Sequence, residues 1–136
     1  MFRTLIVEDN VIFRQSFREI LGTQFSYMVV DEAADGKEGL QKVNSFQPDL
    51  IFMDIKLPGE NGLELTKKIK ADHPKIIIII FTDYDLPEYR QAASQYGANH
   101  FISKSSSTRE EMLTLVESIL PDLGFDLDGQ RREEKP

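Results

Sequence analysis

The chain has 136 residues, a net charge of −7 and a sequence pI near 4.8, so it is sized for one domain and its acidic surface argues against direct binding of nucleic acid. With no cysteine, it has neither disulfides nor thiolate metal sites. The longest aliphatic run, residues 76–81, is far short of a membrane span, and MFRTLIVEDN carries no signal-peptide pattern, so a soluble, cytoplasmic protein with no membrane partner is expected.

Leu5-Ile6-Val7 is a β-branched-rich run that ends in Glu8-Asp9. Asn10 caps a predicted helix whose apolar positions are Ile12, Phe13, Phe17, Ile20 and Leu21. Residues 27–30 form a second apolar run, and Asp35-Gly36-Lys37-Glu38 reads as a capping box for a helix that Pro48 breaks. Leu50-Ile51-Phe52-Met53 predicts a strand buried on both faces and ending at Asp54, followed by a loop with Pro58, Gly59 and Asn61. Residues 62–72 predict a helix with Leu63, Leu65 and Ile69 inward and a solvated lysine face of Lys67, Lys68 and Lys70.

Five consecutive isoleucines, then Phe81, make the strongest strand signal, ending at Thr82-Asp83. Asp85 and Glu88 are expected to cap a helix through about Tyr96, closed by Gly97. His100-Phe101-Ile102 predicts a fifth strand ending at Ser103-Lys104, and Ser107 with Glu110 predicts a capping box for a last helix. The domain is expected to cover residues 1–120, with 121–136 a linker or flexible tail. His73 and His100 lack ligand-like spacing, and Asp122, Asp126 and Asp128 do not space as a calcium loop.

Five strands alternating with five helices predict an α/β fold, a parallel sheet covered on both faces by right-handed crossovers. Parallel strands share one carboxyl edge, where open sheets carry their ligand sites. Glu8, Asp9, Asp54, Thr82 and Lys104 all follow apolar runs and meet there. Three carboxylates repel one another unless a hard cation joins them, and an oxygen-rich set suits Mg2+. A carboxylate nucleophile, a metal, a lysine and a hydroxyl are the parts that receive a phosphoryl group.

These motifs resemble the receiver domain of two-component response regulators over residues 2–120: the pair Glu8-Asp9, Asp54 with Pro58 four and Gly62 eight residues on, Thr82, and Lys104 with Phe101 three residues before it. The resemblance implies a doubly wound, flavodoxin-like five-stranded fold with strand order 2-1-3-4-5. It implies that Asp54 accepts phosphate from a sensor histidine kinase. The resemblance further implies that Mg2+ is held by Asp9, Asp54 and the Lys56 backbone carbonyl, with Glu8 acting through water. Lys104 and Thr82 stabilise phosphoryl oxygens. Thr82 and Phe101 form the switch, and the face of helix 4, strand 5 and helix 5 is a candidate homodimer surface. Such a domain is a phosphoacceptor that assists its own phosphorylation and dephosphorylation, and is not otherwise an enzyme. The wording FISKSS is similar to regulators whose output domain is a C-terminal helix-turn-helix, so a role in transcription through a domain absent from this chain is expected. The alternative is a stand-alone or degenerate receiver used as a protein-interaction domain.

Two positions depart from the family pattern. Ser105 stands where many receivers have a proline after the lysine; a cis bond there would cost about 2.5–4 kcal/mol, so a trans or more mobile loop is expected. Asp83 stands where a small residue usually admits the phosphoryl group, and is expected to hinder anionic phosphodonors. An Asp-x-Asp phosphohydrolase is disfavoured because the first strand ends in Glu8-Asp9-Asn10, and a flavin binder because that acidic pair would repel the phosphate.

Overall fold

Short β-branched runs form the sheet and amphipathic stretches cover it, in strict alternation. In chain order the computed structural model has β1 (Phe2–Val7), α1 (Val11–Gln24), β2 (Met28–Ala33), α2 (Gly36–Phe46), β3 (Leu50–Met53), α3 (Gly62–Asp72), β4 (Ile77–Thr82), α4 (Pro87–Gln95), β5 (His100–Ser103) and α5 (Arg109–Ile119). The structure describes residues 1–126, 128, 130 and 131; Arg132 to Pro136, the end of the expected tail, lie outside the described residues. All strand pairs are parallel, in order β2-β1-β3-β4-β5, the doubly wound topology expected. None of the described helices is long and apolar enough to cross a membrane.

Alternation along each strand splits the core into two layers. Phe2, Ile6, Leu50, Phe52 and Ile79 pack with Phe17 and Leu21 of α1 and with Met112 and Val116 of α5. Leu5, Val7, Ile51, Met53, Ile78 and Ile80 pack with Val43 of α2, Leu65 and Ile69 of α3 and Ala93 of α4. The central strand Leu50–Met53 is therefore buried along its whole length.

Several ends differ from the sequence reading. β2 runs on through Asp31-Glu32-Ala33, paired to Leu5, Ile6 and Val7. Its acids tolerate the sheet because Lys42 pairs with Asp31 (2.7 Å), while Arg14 (2.9 Å) and Arg18 (2.6 Å) pair with Glu32. Burial alone would raise both carboxyls; these cations outweigh it and hold both below the usual range. Helix α4 opens on Leu86 with Pro87 in its first turn, and no side chain caps it. Asp85 instead pairs with Arg90. The α5 capping box is Thr108 with Glu111, one residue later than Ser107 and Glu110. Asp35 caps α2, but Glu38 reaches back to the Ala34 N–H. Lys70 is not simply solvated: its ammonium donates to the carbonyls of Pro74 and Ile76 and to Asn99, and burial lowers its pKa.

Packing also continues past Leu120. A 3-10 turn over Pro121–Leu123 and Gly124 in the left-handed region (φ 82°) return the chain, so the Phe125 N–H reaches the Leu120 carbonyl at 2.9 Å. Phe125 is fully buried, edge-on to Phe2 with centroids 5.2 Å apart. The packed domain thus extends at least to Phe125, beyond the expected boundary at 120. Phe125→Ala is expected to cost about 3–5 kcal/mol in urea denaturation, the range for a buried phenylalanine; a mere tail residue would cost almost nothing.

Candidate functional site

Strand register builds the site. Val7 faces Met53 across β1 and β3, so one further step sets Glu8 beside Asp54. The Asp54 N–H donates to the Val7 carbonyl (3.1 Å) and the Glu8 N–H to the Ala33 carbonyl (2.9 Å), which fixes both backbones at the sheet edge. Asn10 then caps α1 by accepting from the Phe13 N–H at 3.0 Å, turning the chain upward and leaving Asp9 exposed. One carboxylate oxygen from each of Glu8, Asp9 and Asp54 lies within 4.8 Å of the others.

Lys104 arrives from β5, two strands away from Asp54. Its N–H donates to the Thr82 carbonyl at 2.9 Å, which anchors it at the carboxyl end of the β4–β5 pair. The flexible stem then carries the ammonium across β4, where it donates to Glu8 and to Asp54 Oδ2 (3.2 Å). The other Asp54 oxygen accepts from the Ile55 N–H at 2.7 Å. Asp54 is 8% exposed and Glu8 only 2%, so Asp54 is the more accessible of this pair. The Lys104–Ser105 bond, like every described peptide bond, is trans.

The remaining expected residues lie around this cluster. Thr82 is fully buried, and its hydroxyl accepts from the Tyr84 N–H of its own loop (3.2 Å). Phe101 is half-buried against the α4 side of the sheet, with the Arg90 guanidinium 4.6 Å over its ring. Lys56 is exposed; its ammonium sits 5.2 Å from the Tyr84 ring and 5.5 Å from the Tyr89 ring. Hence Glu8, Asp9, Asp54 and Lys104 form one group, Thr82 joins through backbone pairing, and Phe101 stands apart.

Two neighbours escape a reading of the chain. Arg14 donates to the Glu8 carbonyl (2.7 Å) while pairing with Glu32, so it fastens the loop that bears both acids. Phe13 lies against the Lys104 ammonium, 4.2 Å from ring centroid to Nζ. Apolar spacing marks Phe13 only as a core position, and nothing local pairs Arg14 with an acid eighteen residues on.

Electrostatics shows what the cluster lacks. Burial, with the charge of Asp54 adding, raises the Glu8 carboxyl to about 7 despite the Lys104 bond. Burial would lower Lys104, but its bond to Glu8 and the charge of Asp54 outweigh it and raise the ammonium. One lysine therefore leaves negative charge uncompensated among three carboxylates. An all-oxygen donor set of this kind fits a hard divalent cation such as Mg2+. A cation bound there would favour the ionised form of Glu8, so affinity is expected to rise with pH. Apparent Mg2+ affinity is expected to be about tenfold weaker at pH 6 than at pH 8, and Glu8→Gln to flatten that dependence in calorimetric titrations.

Comparison with known proteins identifies the family. Residues 4–117 match the family described as the response regulator receiver domain. The chain belongs to that family. The receiver is 38% identical to the oxygen regulatory protein NreC of Staphylococcus carnosus over 118 residues, covering 86% of this chain and 54% of that protein. It spans about half the length of the curated relatives it matches. A LuxR-family response regulator from Aurantimonas sp. SI85-9A1 superposes with a TM-score of 0.80 at 31% identity, covering 96% of this chain and 88% of that one. The response regulator TrrA of Thermotoga maritima, solved with Mg2+ and beryllofluoride, gives a TM-score of 0.77 at 32% identity, over 88% of this receiver and all of that chain.

Proposed function

We propose that this receiver domain is a transient phosphoacceptor whose working residue is Asp54. The observation that carries the reading is the convergence of Glu8, Asp9, Asp54 and Lys104 at one sheet edge, with Asp54 more accessible than Glu8. The donor is a phosphohistidine of a sensor histidine kinase. The Asp54 carboxylate attacks phosphorus in line, the P–N bond breaks, and its electron pair stays on the departing imidazole. Asp9, Asp54 and the Lys56 backbone carbonyl would hold Mg2+, and Glu8 would support it from the same cluster. When bound, the ion supplies positive charge against the phosphoryl oxygens. Lys104 exchanges its bond to Asp54 for one to a phosphoryl oxygen, and the Thr82 hydroxyl supplies another donor.

The Thr82 hydroxyl accepts from the Tyr84 N–H, so turning its own hydrogen toward the phosphoryl group pulls on the β4–α4 loop. Phe101 then repacks, and the surface of α4, β5 and α5 shifts between pre-existing states. That surface serves in homodimer formation. The proposed output is transcriptional control, which the likeness to NreC and to a LuxR-family regulator supports; the proposed location is the cytoplasm. The acidic receiver does not itself bind nucleic acid.

Backbone NMR during titration with Mg2+ and beryllofluoride tests the reading. Saturable shifts at Asp54, Thr82, Phe101 and Lys104 are expected; none at any of them would leave an interaction module without phosphorylation. Asp83, exposed beside Thr82, should repel anionic donors. Asp83→Ala is expected to raise the rate with acetyl phosphate about threefold, more at low salt than at high salt, in a gel assay of phosphoprotein.

A further inference from the structure

The Lys104 ammonium is held on more sides than the carboxylates account for. It donates to Glu8 and to Asp54, and the face of Phe13 stands 4.2 Å from it. That is well inside the roughly 6 Å at which a ring face attracts a cation. The ring is itself fixed. It stacks on Phe17 (centroids 6.0 Å, planes 26° apart) and meets Phe81 edge-on at 5.7 Å. Phe17 in turn stands edge-on to Phe52 at 4.8 Å, in the strand that ends at Asp54. A row of aromatic rings thus runs from β3 through α1 to the lysine. The Asn10 cap starts α1 directly after Asp9 and so sets where Phe13 falls.

We infer that Phe13 is a positioning residue for phosphoryl transfer: its ring face holds the Lys104 ammonium over Asp54 and keeps water from that side. Any side chain of suitable size fills the space between α1 and β4, but only an aromatic one adds the attraction to the cation. A shielded ammonium also remains available to a phosphoryl oxygen without first shedding water. The inference rests on the phosphoacceptor reading in its consequence for rate, but the contact itself exists in the resting protein.

The test compares Phe13→Leu with Phe13→Tyr. In metal-free wild-type protein the Lys104 Hε and ammonium protons should be shifted upfield by the ring. Phe13→Leu should abolish that shift and Phe13→Tyr should keep it. Absence of the shift in wild type overturns the contact whether or not Asp54 is phosphorylated. Phosphorylation by acetyl phosphate should slow about tenfold in Phe13→Leu, the loss corresponding to about 1.4 kcal/mol of transition-state stabilisation, while Phe13→Tyr stays near wild type. Mg2+ affinity should be the same in all three. In a Lys104→Ala background Phe13→Leu should have no further effect. Equal slowing in the leucine and tyrosine variants, weakened Mg2+ binding, or an undiminished effect without Lys104 would each mean that Phe13 only packs. An upfield shift together with no phosphorylation in wild type would sink the phosphoacceptor reading and leave the contact standing.

Discussion

Asp54→Asn is expected to abolish magnesium-dependent phosphorylation, with acetyl phosphate and with a histidine kinase alike, while leaving the domain folded. The amide keeps the shape of the side chain and can still accept the Ile55 N–H that Asp54 accepts at 2.7 Å. It cannot attack phosphorus, because a neutral amide oxygen is a poor nucleophile. The neighbouring acids are not expected to take over. Glu8 is 2% exposed and already bonded to Lys104, and Asp9, which lies in the same cluster, is assigned to the metal in this reading. The substitution also removes the charge that helps raise Glu8, so the Glu8 carboxyl should titrate lower in the variant. Mass spectrometry after donor treatment, with carboxylate NMR for Glu8, checks both parts. Residual phosphate on the variant would place the acceptor elsewhere.

Among the described glycines, Gly62→Ala should be the most damaging added methyl group. A Cβ on Gly62 would stand 1.8 Å from the Asp54 carbonyl oxygen and 2.8 Å from its carbon. Both are backbone atoms of the strand end that carries the acceptor, and the Gly62 N–H also closes the loop onto the Ile55 carbonyl at 2.8 Å. No rotamer change relieves such a clash, so α3 or the Asp54 loop must move. The expected cost is about 3 kcal/mol or more, at the upper end for an overpacked site. Urea denaturation should show it, together with loss of Mg2+ binding, since the acceptor backbone is displaced. Gly22→Ala is the control. Gly22 lies inside α1 with open space around it, so alanine should stabilise by about 0.5–1 kcal/mol through helix propensity alone.

What was legible in the chain was what depends on near neighbours. Leu50–Met53 and Gly62–Asp72 have the bounds that their patterns predict, because an apolar run and a helical stripe carry their own evidence. The failures share one cause. The apolar run at 27–30 does not show that the strand continues through Asp31 and Glu32, which Lys42, Arg14 and Arg18 arrive from two helices to neutralise. Asp85 read as a cap until Arg90 took it. Phe125 read as tail because nothing within ten residues shows that Phe2, at the other end of the chain, has a face to cover. Helix starts slipped by a residue where two hydroxyls adjoin, at Ser107-Thr108, since either can cap and packing of α5 chooses.

By itself, then, the sequence determined the order of strands and helices, and hence that Glu8, Asp9, Asp54, Thr82 and Lys104 share the carboxyl edge of a parallel sheet. That follows from side-chain periodicity and strand direction, which are local. Only the tertiary structure decided which of them touch. Register set Glu8 beside Asp54. The reach of a lysine across β4 brought Lys104 to both, and the α1 turn brought the Phe13 ring against it. Burial then raised the Glu8 carboxyl, because desolvation depends on everything packed around a group and not on its neighbours in the chain.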